Sequence, residues 1–185
     1  MPRFVALLRA INVGGHVVKM DVLRAHFEAL GFTAVSTFIA SGNVLFSTRA
    51  TSAAATERRI ERALTSALGY EVATFLRTPR EMSDAAAHAP FDDLAETDAL
   101  AVGFLPRALT TAERRTLLAF SGATDDFATR ARELYWRTRG RVSNSKVSLA
   151  RLEKALGLRA TFRNITTVRK LGALLATAAM TTEGF

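Results

Sequence analysis

The sequence predicts an α+β fold made of two tandem ferredoxin-like (βαββαβ) halves with antiparallel sheets, followed by a C-terminal helix. Three observations carry this. Short apolar runs and helical periodicities alternate as strand, helix, strand, strand, helix, strand, and the series then repeats. Glycine, proline and capping residues stand where those elements should stop or start. The length, 185 residues with 49% hydrophobic and 23% charged, suits two small halves that share one globular chain. The repeat is one of elements and not of residues, and its order is that of the split βαβ unit.

In the first half, residues 3–9 are a short apolar run and read as a strand. A loop over 10–19 leads to a helix at about 20–30, where Met20, Leu23, Phe27 and Leu30 keep helical spacing and Gly31 ends it. Residues 35–39 and 44–47 read as two strands of a hairpin turned by Ser41, Gly42 and Asn43, with glycine taking the positive φ. An alanine-rich helix over 52–68 ends at Gly69, and 71–77 form the fourth strand. Thr78-Pro79-Arg80-Glu81 combines a capping box with proline at the first helical position, so a short helix runs to about His88. The loop around Pro90, Phe91, Asp92 and Asp93 follows. The organisation is thus 1–78 as the first half, 79–97 as a helical linker, 98–180 as the second half with its C-terminal helix, and 181–185 as a tail.

The second half opens on an apolar strand at 99–105, stopped by Pro106. Thr110-Thr111-Ala112-Glu113 is another capping box, and its helix runs to about Phe120. Residues 127–130 and 134–138 pair as a hairpin, the second strand setting Leu134, Trp136 and Thr138 against Tyr135 and Arg137. The loop 140–145 opens a helix over 147–156 closed by Gly157; 160–163 are strand-like, and Thr166 or Thr167 caps a helix to about 179.

Composition removes several function classes. The chain has no cysteine, which excludes disulfides, thiolate metal sites and cysteine nucleophiles. No apolar run approaches the ~20 residues of a membrane span, and the N-terminal run is cut by Arg9, so no membrane partner and a cytoplasmic location are expected. The three histidines, His16, His26 and His88, are dispersed and set no metal pattern; neither a metal nor another cofactor is expected. Asp92 and Asp93 read as loop residues, and no nucleophile stands beside a base. The net charge of +8 favours anionic partners, although the cations are almost all arginine scattered along helices, as at Arg58, Arg59 and Arg62.

Three motifs stand out: LLRAINVGG at 7–15 with Lys19 and Met20 after it, FIASGNVLFS at 38–47, and TFRNITTVRKL at 161–171. Together they resemble a bacterial family known only as a domain of unknown function. The resemblance spans nearly the whole chain and implies the tandem fold, but no activity. Ala10 stands where that family has glycine.

The residues themselves point to anion chemistry. Gly14 and Gly15 let successive N–H groups turn toward one point beside a helix N-terminus, while Arg9 can grip an oxyanion and Asn12 can orient it. The other reading of these glycines is a flexible turn. Ser41 and Asn43 read first as a hairpin turn. Arg163 and Asn164, with Thr166 and Thr167, form either a second anion seat or an N-cap with an arginine on loop carbonyls. Lys146, in the loop Ser143-Asn144-Ser145-Lys146, is a point charge for phosphate or part of a cap. The expectation is therefore a phosphorylated small ligand held where the halves meet, with binding and a small enzymatic activity both open. Nucleic-acid binding through dispersed arginine is an alternative. It is not favoured, because Phe4, Phe46, Tyr135 and Trp136 do not form the stacking face of an RNA-recognition sheet. A structural or protein-interaction domain without a ligand is the third reading, and the oligomeric state stays open.

Overall fold

A computed structural model of the chain describes residues 1–12 and 14–180; the expected tail over 181–185 lies outside the described residues. The chain divides into two units, Met1–Ser83 with the residues from Lys170 onward, and Asp84–Arg169. Each holds a four-stranded antiparallel sheet.

The first unit contains β1 (Arg3–Leu8), α1 (Met20–Ala29), β2 (Thr33–Thr37), β3 (Asn43–Ser47), α2 (Ala53–Leu68) and β4 (Thr74–Arg77). Its sheet runs β2-β3-β1-β4, with Leu7 opposite Asn43 on one side and Phe75 on the other. Period-two alternation puts Phe4, Ala6, Leu8 and Phe46 into one core with Leu23 and Phe27 of α1 and Ile60 and Leu64 of α2. The rings of Phe32 and Phe46 stack there at 4.5 Å. The alternate residues Val5, Leu7, Leu45 and Phe75 are buried too, as is the whole of Arg77.

An edge strand leaves alternate N–H groups unpaired, and α2 supplies the missing acceptors. Glu61 accepts from the Thr74 N–H at 2.9 Å and Glu57 from the Leu76 N–H at 2.8 Å. The helix thus seals the β4 edge against pairing with another chain. Ser52 caps α2, and Gly69 at φ +79 ends it.

The second unit contains β5 (Ala99–Phe104), α4 (Thr111–Leu118), β6 (Asp125–Arg130), β7 (Glu133–Thr138), a 3₁₀ turn (Val142–Asn144), α5 (Leu149–Leu156) and β8 (Thr161–Asn164). Its sheet order, β6-β7-β5-β8, repeats the first. Leu117 of α4 and Leu152 and Leu156 of α5 pack on Phe127 and Leu134, with Trp136 and Phe162 at the margin. Gly103 makes this packing possible: a Cβ there would lie 2.6 Å from the Phe162 ring. On the opposite face Tyr135 is buried and donates to the Ala85 carbonyl at 3.2 Å.

Two helices cross the division of the chain. α3 (Pro79–Ala87) is split after Ser83, and α6 (Ile165–Met180) begins in the second unit and continues in the first. The loop after α3 is pinned by Arg137. Its guanidinium donates to Asp93 at 2.6 Å and to Asp126, and lies 4.9 Å from the Phe91 ring centre.

Several boundaries differ from those the sequence predicts. β4 starts at Thr74, because residues 71–73 belong to the turn that enters the strand. β2 spans Thr33–Thr37 and excludes Ile39, whose φ of +50 is incompatible with a strand. α5 starts at Leu149 and not at 147, since Ser148 is its cap and accepts from Arg151 N–H. Asn164, and not a threonine, caps α6, accepting from Thr167 N–H at 2.8 Å.

Candidate functional site

The first two motifs meet at one end of the first unit. At the end of β1, the Leu8 N–H donates to the Gly42 carbonyl at 2.8 Å, and the Arg9 N–H donates to Ala73 at 2.9 Å. Gly42, at φ +74, lies against Leu8 and Ile11; a Cβ there would come within 3.0 Å of Ile11 Cβ. Only glycine allows that approach.

Asn12 ties the 10–19 loop to this turn. Its Nδ2 donates to the Ala40 carbonyl at 2.9 Å, and its Oδ1 accepts from the Val18 N–H at 2.6 Å. Asn43 is buried and serves its own turn, donating to Phe38 O at 3.0 Å and to Ser41 Oγ at 2.9 Å. Both asparagines therefore hold backbone.

The loop is costly in backbone terms. Ala10, Asn12, Gly14 and Gly15 all have positive φ, at 66, 56, 64 and 88 degrees. Gly14 and Gly15 are exposed, with no atom within 4 Å of a built Cβ. Among the described residues, the N–H groups of Gly14, Gly15 and His16 have no hydrogen-bond partner. The His16 ring stacks on Tyr70 with centroids 3.9 Å apart, which fixes the far end of the loop. Tyr70 is half-buried with its hydroxyl unpartnered, and burial raises its pKa. Arg9 follows β1, and Lys19 precedes α1 without making a side-chain cap.

The remaining candidates lie in the second unit. Arg163 is nine-tenths buried and donates to Thr161 Oγ1 and to the Phe162 carbonyl, both at 2.8 Å. Burial pulls its pKa down to about 10, so it stays protonated at neutral pH. Asn164 and Thr167 form the α6 cap, while Lys146 is exposed in the loop before α5. The stacking pair His16–Tyr70 and the Ala40 acceptor carry no signal in the sequence, because both partners are remote along the chain. The aromatics weighed for RNA stacking are withdrawn from solvent: Phe4, Phe46 and Tyr135 are buried and Trp136 is half-buried.

Among the described residues there is no group of three His, Asp or Glu side chains placed to hold a metal ion. No helix among them is long and apolar enough to cross a membrane.

No curated protein matches the chain. A solved structure described as that of the conserved bacterial protein SP0830 from Streptococcus pneumoniae is similar in fold, with a TM-score of 0.77 at 23% identity. The alignment covers 95% of this chain and 99% of that one. The LLRAINVGG loop and the turn it docks on fall within a family match over residues 1–135, and the chain belongs to that family, described as Protein of unknown function (DUF1697).

Proposed function

We propose that the protein binds a phosphorylated or otherwise anionic small ligand at the 9–19 loop of its first unit, in a fold whose two sheets are both ferredoxin-like. The strand orders β2-β3-β1-β4 and β6-β7-β5-β8 support the fold reading. The relative's description as a conserved bacterial protein supports a bacterial setting. One observation carries the binding reading: three consecutive N–H groups, at Gly14, Gly15 and His16, have no hydrogen-bond partner among the described residues, in a loop that Asn12 and Gly42 hold in shape. Successive backbone donors in a turn conformation make a concavity for oxygen anions.

Arg9 and Lys19 flank that row in the chain and supply positive charge. Asp21 stands in the first turn of α1 and its Oδ1 already takes the Val22 N–H. The helix end is therefore occupied by an acid, and the loop's own amides are the seat. Because Asn12 and Asn43 are committed to backbone, they act as frame; Arg9, Gly14 and Gly15 are the contacts.

Amide resonances of Gly14, Gly15 and His16 followed against inorganic phosphate, nucleotides and sugar phosphates test this. Saturable shifts confined to the loop are expected. Arg9→Ala should weaken them about tenfold, the size of one charged hydrogen bond. Equal shifts with chloride, or none with any phosphate, would refute the proposal. Loss of affinity with a steep salt slope for single-stranded DNA would instead identify a nucleic-acid binder.

A further inference from the structure

The second unit contains a cavity lined in part by the third motif, through Phe162, Asn164, Ile165 and Thr166. It has a volume of about 420 Å³ and opens where β5, β7 and the start of α6 converge. Trp136, Phe162, Ala101 and Val142 are among the residues that line it. That volume falls within the range of small-molecule sites.

The walls are held in place before any ligand arrives. Asp125 Oδ1 accepts from Trp136 Nε1 at 2.7 Å and from Thr138 Oγ1 at 3.1 Å. Phe162 is seated over Gly103 and meets Trp136 edge-on, with centroids 5.7 Å apart. The aromatic surface is thus rigid and its polar handle is already used.

Two polar groups with spare capacity line the cavity. Asp98, just before β5, has oxygens that accept from the Gly140 and Ala95 N–H groups at 3.1 and 3.2 Å, and each retains a lone pair. Asn164, the last residue of β8, pairs with Ala101 of β5. Its Oδ1 caps α6, and its Nδ2 has no partner among the described residues. The cavity therefore asks for a donor at Asp98 and an acceptor at Asn164. Asp98 is the sole formal charge in the lining, which disfavours an anion.

We infer that this cavity binds a flat, uncharged heteroaromatic ring carrying an N–H donor and a carbonyl acceptor, of the size and hydrogen-bonding type of a purine lactam. The ring lies on Trp136 and Phe162, its N–H reaches Asp98, and its carbonyl accepts from Asn164 Nδ2. This site is independent of the anion seat in the first unit.

Trp136 is the only tryptophan, so its indole N–H resonance reads the cavity directly. Titration with hypoxanthine should shift that resonance saturably. Inosine shows whether the ring also enters carrying a sugar, and saturation by either supports the proposal. Benzoate, an anion without the donor, and indole, a ring without the acceptor, should bind at least tenfold more weakly. Asn164→Asp keeps the α6 cap, since aspartate caps as well as asparagine, and puts a charged acceptor in place of the Nδ2 donor. It should weaken hypoxanthine about tenfold, and Ala101→Leu should abolish the shift by filling the cavity. Benzoate or indole binding as tightly as hypoxanthine, no shift with hypoxanthine or inosine, or unchanged affinity in Asn164→Asp would each overturn the assignment.

Discussion

At Ala10 the backbone sits at φ +66, a region that costs an L-residue about 1–2 kcal/mol. The glycine that the resembling family carries at this position would relieve that cost. Glycine also raises the entropy of the unfolded chain, by about 0.4–1 kcal/mol. The relief exceeds the penalty, so Ala10→Gly should stabilise the protein by about 0.5–1 kcal/mol, read as a higher urea midpoint with an unchanged slope. A lower midpoint would mean that the alanine methyl makes contacts worth more than the strain. The same loop shows what a sequence conceals at this scale. Asn12 reads as a ligand group because its partners, Ala40 and Val18, are chosen by the fold and not by spacing. Arg163 reads as an anion seat or as an arginine on loop carbonyls, and neither reading shows that the strand alternation that buries Thr161 buries it as well. Glycine pairs are legible; the destination of a single amide is not.

Elements were far more legible, because each carries its own start and stop chemistry. Thr110 and Glu113 form the capping box their spacing predicts, Thr110 Oγ1 taking the Glu113 N–H at 3.2 Å and Glu113 taking the Thr110 N–H at 2.7 Å. Arg107 adds two further bonds to the same carboxylate, at 2.8 and 2.7 Å. The guanidinium and the cap amide hold Glu113 down to about 2, from 4.5. A carboxylate depressed on folding contributes stability that is full above its unfolded value and is lost as pH falls through the folded one. Glu113→Gln should therefore lower stability above pH 4.5, and the gap to the parent should close as pH falls toward about 2. A gap independent of pH in chemical denaturation would show that the glutamate acts through packing alone. Strand ends were less legible, since Ile39 at φ +50 is set by the turn and not by its β-branched propensity. Nor could period-two reasoning show why β5 carries Gly103. The Phe162 ring occupies the space of its side chain, so Gly103→Ala should cost about 1–3 kcal/mol through overpacking. Gly103→Ala combined with Phe162→Leu should recover most of that loss, as measured by thermal unfolding.

For the whole molecule the informative element is α6, a continuous helix whose first turn belongs to one unit and whose later turns belong to the other. Its length is legible in the sequence but this division is not, because helical periodicity says which face is buried and not what buries it. Leu171 and Leu175 are fully buried in the part that counts with the first unit. Truncating Leu175 to alanine removes a buried isobutyl group and should cost about 2–5 kcal/mol. Starting a new helix end in the middle of α6 is also unfavourable, since it loses backbone hydrogen bonds that propagation had secured. The second unit should therefore feel a lesion placed in the first. Trp136, the sole tryptophan, lies in the second unit and reports its unfolding by fluorescence. Circular dichroism at helical wavelengths reports both. In Leu175→Ala the two transitions should move to lower denaturant together and by the same amount. If the fluorescence transition stays in place while the dichroism splits, each unit folds alone, and α6 breaks near residue 169 without penalty to the second sheet.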